Sequence, residues 1–129
     1  MQRRRTCNLS EARARHLSSV AFLEAAEQLS SQGCNRDVVV TNAVHAGIAA
    51  SDVMCCVHLG ERSADQDHAA AIRLLASVNS GLGNDLGRLL ALKTTAAYEG
   101  RIVRAADVTA ALRRAHKLVD AATDILRKS

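Results

Sequence analysis

Arg62 and His68 stand six positions apart in the polar end of HLGERSADQDHAAAIRLL, the stretch from His58 to Leu75. A metal-independent ribonuclease would use an arginine and a histidine in this way, the cation against phosphate charge and the imidazole for the proton. The same residues would also serve to end one helix and cap the next. In that register Asp65 or Asp67 is the cap and the Arg62 charge stays in solvent.

A second polar group is Asn42, His45 and Asp52, spaced by three and seven on one side of an otherwise apolar segment. Burying a carboxylate without a partner is costly, so Asp52 requires a cation from a neighbouring helix, an exposed seam or a cavity. Cys55, Cys56 and His58 lie together with His45 and His68 not far off, which raises the question of a metal. Adjacent helical residues point about 100° apart, and no CxxC pair occurs, so neither metal nor cofactor is expected. GLGND contains no lysine and follows no strand, which excludes a phosphate loop, and no serine sits in a nucleophile elbow. RRAHK is basic, but Arg113, Arg114 and Lys117 read as the charged outer face of a helix rather than a DNA-reading element.

The elements that must position these residues are helical. The 129 residues include no proline, 24 alanines and only two aromatic side chains, Phe22 and Tyr98. Such a composition favours helix throughout. The one run of strand formers, Val38–Val40, lies inside a longer helical pattern. The fold class expected is all-α: an up-and-down antiparallel bundle of four core helices plus one shorter helix. It forms a single domain over 1–129, with 1–8 as a frayed basic arm.

The first helix begins near Asn8, with Asn8 and Glu11 spaced as a capping box. Its expected apolar face is Ala14, Leu17, Ala21, Phe22, Ala25 and Leu29. The second runs from about Asn35 to Leu59, is apolar nearly all round and belongs in the middle of the bundle, with Gly60 as its left-handed cap. A short third helix carries Leu74 and Leu75 before NSGLGND breaks it. A fourth spans about Asn84 to Tyr98. Asp107 caps a closing helix whose seam is Val108, Ala111, Leu112, Ala115, Leu118, Val119, Ala122, Ile125 and Leu126.

The net charge of +4 and a pI near 9.2 are basic, but less so than in a dedicated nucleic-acid binder. Cys7, Cys34, Cys55 and Cys56 do not form a disulfide framework by spacing, so four reduced thiols and a cytoplasmic setting are expected. No run reads as a membrane span or signal peptide.

In order, NAVHAGIAASDVMCCVHLG, DQDHAAAIRLL and LLALKTTAAYEGRIVRAADVTAALRRAHKLVDAATDIL resemble the HEPN superfamily of small bacterial helical domains. The resemblance runs from about Asn35 to Leu126, some 70% of the chain. It implies a frequently dimeric bundle working in toxin–antitoxin, stress or phage-defence systems. It also implies a homodimer and a protein partner of the antitoxin or nucleotidyltransferase-like kind, with RNA or a nucleotide as ligand. Active members of the family are ribonucleases with an arginine and a histidine four to six residues apart, which Arg62 and His68 match. That pair generally lies later in the family, at a place resembling ALKTTAAY, where this chain has Lys93 and Tyr98 but no histidine. His68 is then similar to the family's structural histidine before the short helix. The reading that follows is a binding and dimerisation module, with Lys93, Tyr98, Arg101 and Arg104 as nucleotide or RNA contacts. The alternative is a ribonuclease toxin using Arg62 and His68.

Overall fold

The computed structural model describes residues 4–64, 67–99 and 103–129, with 94–99 described through their backbone alone. Five helices and one two-stranded ladder make it up: β1 (Arg4–Thr6), α1 (Leu9–Ser31), α2 (Arg36–Leu59), β2 (Glu61–Ser63), α3 (His68–Val78), α4 (Ser80–Glu99) and α5 (Ala105–Arg127). The chain is an all-α bundle.

Local signals set most boundaries. Asn8 Oδ1 accepts from the Glu11 backbone N–H at 2.9 Å and starts α1. Asn35 Oδ1 accepts from Asp37 N–H at 2.8 Å and starts α2. Gly60 ends α2 at φ 66°, a conformation that costs glycine nothing. Two boundaries differ from expectation. NSGLGND does not break the chain: Asn79 caps α3 and then accepts from Leu82 N–H at 2.9 Å, so α4 starts at Ser80. Gly83 serves close packing instead, since a Cβ there would lie 2.7 Å from the Ala76 backbone. The closing helix starts at Ala105, before Asp107, whose Oδ2 reaches back to accept from Arg104 N–H at 3.0 Å.

α2 is the centre. Its Val39, Val40, Ala43, Ala46, Ala50, Val53 and Met54 are essentially inaccessible, and it packs on α1, α5, α4 and α3. Arg15 meets Asp52 and Phe22 meets His45, so α1 and α2 run antiparallel. Arg36 reaches the Val103 carbonyl, and a Cβ on Gly47 would meet Leu118, so α5 runs the same way as α2. A Cβ on Gly47 would also stand 2.5 Å from Leu89 Cδ2, which shows how closely α4 approaches.

The α5 seam is buried as expected at Val108, Ala111, Ala115, Leu118, Val119 and Ala122. The α1 face is not. Ala12, Ser19, Leu23 and Ala26 are inside, while Leu17 is 72% exposed. The buried α1 positions are small apart from Leu23, while Phe22 and Leu29 of the expected face are half-buried against the core.

α2 is also long and apolar enough to cross a membrane by length and composition, contrary to expectation, although 72% of that window is buried inside the bundle. Only Asp52 among Asp, Glu, Lys and Arg lies between Val38 and Leu59, which is why it passes.

The basic arm does not fray over its described part. Arg4, Arg5 and Thr6 pair antiparallel with Ser63, Arg62 and Glu61, and Cys7 N–H donates to the Gly60 carbonyl at 2.9 Å. Cys7 and Cys56 form a disulfide across 49 residues, correcting the expectation of four reduced thiols. Spacing hid this bond because the partner of Cys56 arrives on the arm, brought alongside by the ladder. Burial pushes the Cys55 thiol up to about 12, so this neighbour stays protonated and inert toward the bond.

Candidate functional site

Four elements converge on one cleft of about 370 Å³. α1 supplies Arg15, α2 supplies His45 and Asp52, β2 supplies Arg62, and the first residue of α3 is His68, with Ile48 and Ala71 as apolar wall. α4 contributes through charge: Lys93 acts on His45. Two groups read separately from the sequence, Arg62 with His68 and His45 with Asp52, are therefore one site.

Its foundation is the α1–α2 register. His45 and Asp52 are seven apart, two turns of one face, and so are Arg15 and Phe22 on the antiparallel helix. Arg15 donates from Nη2 at 3.0 Å and from Nε at 3.1 Å to Asp52 Oδ2. The Phe22 ring lies 5.2 Å from the His45 ring, centroid to centroid and tilted by 30°. Burial raises the Asp52 carboxyl above its ordinary value, and the Arg15 and Arg62 charges only partly oppose this. Partial desolvation also lowers the His45 imidazole from its ordinary value, although the residue is exposed, and the charges of Lys93, Arg15 and His68 add to this.

Arg62 is placed by the ladder, opposite Arg5. Its Nη1 donates weakly to the Ser63 carbonyl at 3.4 Å. Its Nε is buried without a hydrogen-bond partner among the described residues. The expectation that Arg62 would stand in solvent is corrected: the arm covers β2 and turns the side chain into the cleft. Asp67 caps α3 as expected, Oδ1 accepting from Ala70 N–H at 3.2 Å, which leaves His68 exposed at the cleft rim.

Other expected residues fall elsewhere. Asn42 donates to the Val38 carbonyl of its own helix at 2.9 Å and takes no part in the cleft wall. Arg104 is exposed at the start of α5. Tyr98 lies on α4, its ring outside the description, and Arg101 lies outside the described residues. Among the described residues no group of three or more His, Cys, Asp or Glu gathers as metal ligands. Arg15 was missed by the sequence reading. The matched seven-residue spacings, Arg15 to Phe22 and His45 to Asp52, were the available signal.

A second carboxylate cluster lies between α4 and α5. Asp85 accepts from Arg114 Nη1 at 2.9 Å through Oδ1 and pairs with Lys117 Nζ at 2.8 Å through Oδ2.

No protein-family model matches this chain, and no curated protein or solved structure does either.

Proposed function

We propose that the chain is a HEPN-like RNA-binding module whose cleft cleaves the RNA backbone without a metal. One observation carries this reading: Arg62 and His68 open onto a shared cleft, and the buried Arg62 Nε has no hydrogen-bond partner among the described residues. A buried donor left unsatisfied is unfavourable, and a phosphate oxygen is the acceptor that best matches a guanidinium. Arg62 then neutralises charge gathering on the phosphorane, and His68 handles a proton at the ribose or leaving oxygen.

The test is a single-stranded RNA oligonucleotide incubated with the protein in EDTA, with product ends read by mass. Fragments ending in 2′,3′-cyclic phosphate, absent with His68→Ala, are expected. Intact RNA at micromolar enzyme would overturn the reading.

A second reading, a module that binds without cutting, draws on Asp67, whose capping bond explains this turn as a helix start. It predicts equal RNA affinity for the parent and His68→Ala, with no product from either. Under both readings the module is a homodimer in a toxin–antitoxin, stress or phage-defence setting. The 72% exposure of Leu17 on α1 is consistent with a covered face in the assembled form. Sedimentation showing only monomer at micromolar concentration would count against the dimer.

A further inference from the structure

We infer that His45 is a second proton-transfer group of the cleft, taking the ribose 2′-hydroxyl proton while His68 supplies the proton to the departing oxygen. The inference rests on the ribonuclease reading and adds a division of labour to it.

The geometry comes first. His45 and His68 reach the cleft from different elements, α2 and the start of α3, with Arg62 on β2 as a third contributor. A phosphodiester held by Arg62 therefore lies in a cleft that two imidazoles line, and transesterification needs both a proton acceptor and a proton donor. The His45 ring is held against Phe22, and its helix is fixed to α1 by the Arg15–Asp52 pair, so the acceptor sits on rigid structure.

The electrostatics assign the roles. His45 faces Arg15 from α1, Lys93 from α4 and His68 from α3, with Asp52 on its own helix and Arg62 from β2 across the same cleft. Partial desolvation of this exposed residue and three of these charges lower its imidazole from the ordinary histidine value, which favours the form with a free lone pair. Asp52, the one carboxylate in the wall among the described residues, is paired with Arg15. His45 and His68 are both exposed residues, so either ring exchanges protons with solvent between turnovers.

The step balances without a further reactant. The 2′-hydroxyl proton passes to His45 as the 2′-oxygen bonds to phosphorus. The phosphorus–O5′ bond breaks, and O5′ takes a proton from His68. The products are a 2′,3′-cyclic phosphate and a 5′-hydroxyl, and the two histidines return to their starting forms by exchange with water.

The test is the pH dependence of single-turnover cleavage of an RNA oligonucleotide by the full chain. The parent is expected to give a bell, its acid limb below pH 6.5 reporting protonation of His45. His45→Gln is expected to lose about 10²–10⁴-fold in rate together with that acid limb. His68→Gln is expected to lose about 10²–10⁴-fold in rate. His45→Ala with added imidazole is expected to recover part of the rate, which a merely structural histidine would not allow. If His45→Gln cleaves within two-fold of the parent with its acid limb intact, while His68→Gln is inactive, His45 has no such role and the ribonuclease reading stands. Failure of imidazole to rescue His45→Ala also overturns the role. If the parent yields no cyclic phosphate, both fall together.

Discussion

Asp52 and Asp85 are nearly equal in burial, 7% and 8% exposed, and each is paired with an arginine, yet they sit in different kinds of place. Asp85 gives one oxygen to Arg114 and the other to Lys117, both from α5. Its charge is answered on both sides, and the cluster ties α4 to α5. Asp52 receives both Arg15 donors on one oxygen. Around it stand Arg62, His45 and His68, in a cleft open to a ligand. A buried carboxylate paired with arginine is therefore no signature of function by itself. The difference lies in what else reaches the pair: one neighbouring helix at Asp85, three neighbouring elements at Asp52.

The sharpest way to break this comparison is to remove one guanidinium from each region. Arg62→Ala is expected to lower RNA cleavage by about 10²–10³-fold with little change in melting temperature, by analogy with the loss of one donor to a developing oxyanion. Arg114→Ala is expected to do the reverse, with cleavage retained and melting lowered. Similar losses of activity from both would erase the distinction.

Cutting the tether on the Asp52 side is the next test. Cys7→Ser releases the arm from Cys56, removing a constraint across 49 residues. A loss of about 2–4 kcal/mol is expected in denaturant melts. Because Arg5 pairs with Arg62, cleavage should fall as well. Amide exchange should rise along β2 and not along the α4–α5 contact. Unchanged exchange in β2 would show that the ladder holds Arg62 without the bond.

Asp85→Ala leaves Arg114 without its carboxylate between two helices, an expected loss of about 1–3 kcal/mol in thermal or denaturant unfolding with cleavage unaffected.

Asp52→Asn carries the smallest effect on stability. Burial raises the Asp52 carboxyl above 3.8, so the folded chain holds this proton more tightly than the unfolded chain does. Its favourable contribution is present below pH 3.8 and is lost as pH rises through the folded value. At pH 7 burial disfavours the ionised carboxylate, and Asp52→Asn is expected to leave stability unchanged or raised. That gain should vanish below pH 3.8, which melts of both proteins across pH would show.

Much of the framework was legible in the residue pattern. The three- and four-step seam of α5, the apolar circumference of α2 and the caps at Asn8, Asn35, Gly60 and Asp67 are local signals read by local physics. The misreadings share a cause. Gly83 looks like a breaker until Ala76 is seen against it. Leu17 looks like core until α1 is seen to bury Ala12 and Ser19 instead. In each case the deciding atom belongs to a different element.

The candidate site follows the same rule. Its residue types, Arg62, His68, His45 and Asp52, stand out in the chain because charged and titratable groups in apolar or capping surroundings need an explanation. That they belong together, that Arg15 completes them, and that Cys7 comes to Cys56 depend on the α1–α2 register and on the pairing of β1 with β2. Periodicity specifies which face of a helix is buried, because that depends on neighbours three and four residues away. Which residue of another element lies opposite is set by helix packing and strand register, and those contacts exist only once the chain has closed on itself.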